Sequence, residues 1–90
     1  MTETRLLIGS LSNDLLRFSS LAQKGSPVAT RFLIECQRWT KALTGRTDLP
    51  PHLNKIIKDI STNPGTFDQI IAERYLMYST LLQNYALHSL

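Results

Sequence analysis

With a single cysteine, Cys36, the chain has no second thiol with which to close an internal disulfide. The disulfide framework that staples many small secreted domains is therefore excluded. No apolar run approaches the roughly 20 residues that a membrane-spanning helix requires. The opening residues, MTETRLLIGSL, lack the basic start, long apolar core and small-residue cleavage site of a secretory leader. These absences lead us to expect a soluble, intracellular and cytoplasmic protein with no membrane association. Gly and Pro number four each, and no repeat or low-complexity tract is visible. The 42% of hydrophobic residues is an ordinary globular value, so composition argues for a folded chain. One domain, 1–90, is expected. A chain of this size buries a modest fraction of its surface, so any spare apolar face suggests a protein partner or a homodimer.

The chemistry of common sites is also missing. Cys36, His52 and His88 lie far apart, and no pair stands at i, i+3 or i+4, so no metal site and no cofactor are expected. Ser10 follows Gly9, but Leu7-Ile8-Gly9-Ser10-Leu11 lacks the strand, turn and second Gly of a nucleophile elbow, and no Gly-rich phosphate loop occurs. The sequence reads as that of a non-enzyme.

What is present is helical periodicity. Leu7, Leu11, Leu15, Phe18 and Ala22 recur at spacings of three and four, predicting a helix near 3–23 that ends at Lys24-Gly25. Gly9-Ser10 is its weak point: a helix that starts only at Ser10 or Ser12 would leave Arg5 to Ile8 as an extended arm. Ser26-Pro27 is a start signal for a second helix, 27–44, whose apolar arc holds Val28, Phe32, Cys36, Trp39 and Leu43. The third, 51–61, opens at Pro50-Pro51 and carries Leu53, Ile56, Ile57 and Ile60 on one side. Asn63-Pro64-Gly65 breaks the chain, and Thr66-Phe67-Asp68-Gln69 matches a capping box opening the fourth helix, 66–89. The expected class is all-α: a compact four-helix, bundle-like domain with the long C-terminal helix at its centre. Trp39, Phe32, Ile57 and Ile71, each central in its arc, are expected in the core.

Two surfaces compete for a function. On the fourth helix Phe67, Ile70, Ile71, Tyr75, Met77, Tyr78, Leu81, Leu82 and Tyr85 fall within about 160° of the wheel, more than one neighbour covers. Arg74 lies inside that arc and calls for a carboxylate such as Asp14 or Glu35. A protein interface through Arg74, Tyr78, Leu81, Leu82 and Tyr85 is the first expectation, making the chain a self-associating or docking adaptor domain. Leu6, Leu16, Ile34, Leu76 and Leu87 point away from their helices' main arcs, and only packing decides whether they join into a patch.

The alternative rests on charge. The net charge of +3 conceals a segment, Lys24 to Lys58, with seven bases against Glu35 and Asp48. Arg31, Arg38, Lys41, Arg46, Lys55 and Lys58 are the candidate polyanion contacts of a sequence-independent nucleic-acid-binding protein. A helix-turn-helix made of helices three and four is disfavoured. Its connection is long, and Asp68 and Glu73 stand where a reading helix meets phosphate.

Overall fold

The computed structural model describes residues 2–88. It contains α1 (Glu3–Gln23), α2 (Ala29–Leu43), α3 (Pro51–Ser61) and α4 (Gln69–His88), and the described residues contain no strand. The all-α, bundle-like class expected from periodicity is the one found.

Helix α1 begins where Thr2, in extended conformation, accepts the Arg5 amide on its hydroxyl at 3.2 Å. It then runs unbroken through Gly9 and Ser10, so Arg5 to Ile8 lie within the first two turns of a helix and are not an arm. Packing outweighs the propensity cost of Gly here, because Thr4 and Ile8 are already buried ahead of it. Ser26 precedes α2, its hydroxyl accepting from the Val28 amide, but regular helix starts only at Ala29. The capping box is also corrected. Asp68, and not Thr66, caps α4: its Oδ1 accepts the Ile71 amide at 2.9 Å, and the helix starts at Gln69. Phe67, just outside it, packs edge-on against Phe18.

The centre of the fold is α1, which revises the expectation that the C-terminal helix takes that place. Ile8, Leu11, Leu15 and Phe18 are fully buried, at i, i+3, i+7 and i+10. Helices α2 and α4 each pack along α1, and α3 packs on α2. The α1–α4 pair is antiparallel, with Gly9 beside Ala86, Ser12 bonded to Gln83 and Phe18 against Tyr75.

The face α4 turns to α1 is made of Ala72, Tyr75, Ser79, Leu82 and Ala86, spaced three and four apart like the seam of a coiled coil. This face is rotated by roughly a quarter turn from the arc of large residues on the helical wheel. The reason is size. Ala72, Ser79 and Ala86 let the two backbones approach, and Tyr75 and Leu82 fill the gaps between them. The wheel weighs hydrophobicity and is blind to this, so the far edge of the expected arc is left in solvent: Ile70 is 66% exposed, Met77 54% and Leu81 43%.

Of the four residues expected at the heart of the core, Ile57 is buried, whereas Phe32, Trp39 and Ile71 are half-buried at its edge. Trp39 stays there because its indole N–H donates to Asp14 at 2.7 Å, and Phe32 lies under the Arg17 guanidinium.

Candidate interaction surfaces

The five residues expected to form one interface on α4 are divided by the fold. Leu82 is fully buried against α1 and offers nothing to a partner. Tyr85 is half-buried on the core, and Leu81 is exposed. Tyr78 and Arg74 are engaged within the molecule, at the junction of α3 and α4. The Tyr78 hydroxyl donates to Asp59 at 2.5 Å, and the Arg74 guanidinium sits 3.6 Å from the same carboxylate. Asp59 is thus the partner of Arg74, correcting the expectation of Asp14 or Glu35. Those two are taken by Trp39 with Arg17 and by Arg38 respectively. Burial first, then the hydrogen bond to Asp59 and that carboxylate's charge, push the Tyr78 phenol up to about 12. Tyr75, stacked on Tyr78, accepts from Asn63 at 3.0 Å and is also raised, mainly by burial. This cluster fastens the α3–α4 connection and leaves few of its atoms for a ligand.

A different face of α4 is free. No charged residue occurs from Leu6 to Asn13 on α1 or from Tyr75 to Leu87 on α4. The antiparallel packing lays these two stretches side by side. Between them runs an outer groove in two sections of about 260 Å3 each, which share Asn13 and Gln83. Leu6 and Leu87 stand at one end and Leu16 in the other section. Leu76, Met77 and Leu81 are also exposed on the solvent side of α4, with exposed Glu73, Thr80 and Asn84 among them. The sequence flagged Leu6, Leu16, Leu76 and Leu87 as outward-pointing residues. The α1–α4 register, which no local pattern encodes, brings Leu6 and Leu87 into one section of the groove and Leu16 into the other.

The basic residues are likewise sorted. Arg46 leaves the candidate polyanion set: it pairs with Glu3 at 3.3 Å, donates to Thr4 at 3.1 Å and is only 29% exposed, tying the α2–α3 loop to the start of α1. Asp48 joins this tie by accepting from Thr4. The outer side of α2 and α3 keeps Arg31, Lys41, Lys55 and Lys58, all exposed and, among the described residues, without an ion pair. Arg38 is 70% exposed and only loosely held by Glu35 at 3.6 Å. Between the end of α2 and α3 lies a groove of about 400 Å3 lined by Thr44, Asn54, Lys58, Ser61 and Thr62 among others.

Elsewhere little reactive chemistry gathers. Cys36 is buried, and burial together with the nearby Asp14 carboxylate pushes its thiol well above the ordinary range. Among the described residues no three His, Cys, Asp or Glu side chains come together, and no helix is long and apolar enough to cross a membrane. Comparison of the chain with models of known families, with curated proteins and with solved structures found no match.

Proposed function

We propose that this protein is an interaction module that self-associates through the outer face of α1 and α4, the adaptor role resting on that surface. The observation that carries the reading is the α1–α4 groove bearing exposed Leu6, Leu16 and Leu87, in which, among the described residues, Arg5 at one end is the one charged lining group. Interface centres are depleted in charge and enriched in Met and large apolar groups. In a molecule of net charge +3, two copies repel over most of their surface. They meet at least electrostatic cost along this groove, where Arg5 at one end is the single charged lining residue, which favours a second copy, related by a two-fold axis, as the occupant. The size is adequate: the Cα envelope is 37 Å long and 18 to 23 Å across, so a whole long side spans roughly 670 to 850 Å2, comparable with the ~800 Å2 per partner of a standard interface.

The test is light scattering coupled to size exclusion. The parent should run as a dimer at micromolar concentration. The double variant Leu6→Glu/Leu87→Glu should run as a monomer with unchanged helical circular dichroism, since both residues are exposed and their loss costs the monomer little. A parent that remains monomeric at the highest attainable concentration, or a double variant that still dimerises, refutes the reading. Tyr85→Asp is a poor probe because Tyr85 packs on the monomer's own core.

A further inference from the structure

We infer that the outer side of α2 and α3 is a second binding surface, which takes the sugar-phosphate backbone of nucleic acid without reading its sequence. The inference stands independently of self-association, because it uses the other pair of helices.

Its basis is how the chain distributes its acids. Glu3 is paired with Arg46, Asp14 with Arg17 and Trp39, and Asp59 with Arg74 and Tyr78. Asp48 bonds to Thr4, and Asp68 caps α4. Each of these five is engaged within the fold, and a further acid, Glu73, is exposed on α4 and not on α2 or α3. That side is left with Arg31, Arg38, Lys41, Lys55 and Lys58 against Glu35 alone. Lys58 lines the α2–α3 groove, and exposed Lys41 stands one helical turn before Thr44, which also lines it. The Thr44, Ser61 and Thr62 hydroxyls of the groove already donate to helix carbonyls, so the side-chain donor that stands between the cations for a phosphate oxygen is the exposed Asn54 amide.

Among polyanions the composition favours nucleic acid over an anionic membrane. A membrane-surface helix needs an apolar wedge of several large side chains, and among the described residues α2 exposes Ile34 and, at its start, Val28, while α3 exposes none. The lysines act as point charges that find phosphates wherever they lie, so the binding is indifferent to base sequence. From Arg31 to Lys41 the cations extend about 15 Å along α2 at ~1.5 Å per residue, against one duplex charge per ~1.7 Å of axis. About four phosphate contacts give a logarithmic salt slope of roughly −3.6, or a loss of roughly 150-fold between about 50 and 200 mM salt.

The experiment is fluorescence anisotropy of a labelled random-sequence DNA duplex, titrated with the full chain at both salt concentrations. Lys41→Gln/Lys58→Gln should weaken binding about 10-fold or more at the lower salt and flatten the slope by about two. Arg17→Gln/Lys24→Gln removes the same charge from α1 and the turn after it, and should change affinity less than about 3-fold. Four outcomes overturn the inference: no duplex binding by the parent at low salt; equal losses in the two double variants; a parent slope near zero; or binding to phosphatidylserine vesicles, by the same lysines, in place of the duplex.

Discussion

Gly9 offers a test of the α1–α4 seam in which removing a glycine should strengthen the protein. It sits inside a regular helix with no left-handed backbone dihedral, so nothing in its conformation requires glycine. A Cβ built on it meets only Ala86 Cβ, at 4.0 Å, an ordinary van der Waals contact. Gly costs about 0.5 to 1 kcal/mol relative to Ala inside a helix, through the backbone freedom it loses on folding. Gly9→Ala should recover about 1 kcal/mol. With an unfolding entropy of ~2.1 cal/mol/K per residue, that raises Tm by roughly 5 °C in a chain of 90 residues. Gly45 is the control. Its φ of +87° places it in the left-handed region, where Ala is strained although space is open. Gly45→Ala should therefore lower stability by about 1 kcal/mol. The assay is thermal and urea unfolding by circular dichroism, at the lowest usable protein concentration so that self-association does not contribute. A destabilised Gly9→Ala would mean that α1 and α4 lie closer than the 4.0 Å contact allows, or that α1 breaks at Gly9. Either result refutes the seam as described.

The Tyr78 hydroxyl is held in its neutral form, so its contribution to stability is complete below about pH 10 and is lost as pH rises toward about 12. The stability difference between parent and Tyr78→Phe should shrink across that window; a difference constant through it would dissociate the hydroxyl from Asp59. Trp39→Ala should cost about 3 kcal/mol, near the lower end for aromatic truncations because the ring is half-buried, and it also removes a donor from Asp14. Trp39→Phe, which keeps most of the apolar contact, should lose about 1 kcal/mol in the same urea titration. Cys36 should react with a disulfide-exchange reagent only as fast as the protein unfolds; rapid labelling of the folded chain would place the thiol elsewhere.

Where local chemistry determines structure, the sequence was readable. Pro51 begins α3 and Gly25, Gly45 and Gly65 adopt positive φ, as breakers and caps foretell. The four helices follow from their apolar spacing. What could not be read was the rotation of α4. Its buried stripe contains Ala72, Ser79 and Ala86, residues that rank low on any hydrophobic scale and earn their position only because α1 lies close by. The pairing of Arg74 with Asp59 and the retirement of Arg46 to Glu3 are long-range in the same sense. They depend on which helix ends meet, and a wheel drawn for one helix holds no information about that.

The same rotation governs both proposed surfaces. Had α4 buried Ile70, Met77 and Leu81, its uncharged solvent face would have been Ala72, Ser79 and Ala86, too small to hold a partner by apolar contact. Turning the small residues inward brings the backbones together and leaves Ile70, Met77 and Leu81 in solvent. Close packing on one side of α4 thus creates the apolar surplus on the other. The carboxylates, meanwhile, are drawn to the junctions: Asp59 must satisfy the Tyr78 hydroxyl, Asp14 the Trp39 indole and Glu3 the part-buried Arg46. Each acid fixed at a junction is one fewer to neutralise the lysines of α2 and α3. The division into an uncharged side and a basic side is therefore a consequence of how this chain satisfies its interior. If so, Asp59→Asn and Asp14→Asn should lower stability through these junctions while leaving duplex affinity within about 3-fold of the parent, after allowance for the added net charge. A stability unchanged by either substitution would break the link between the interior's demands and the charge left outside.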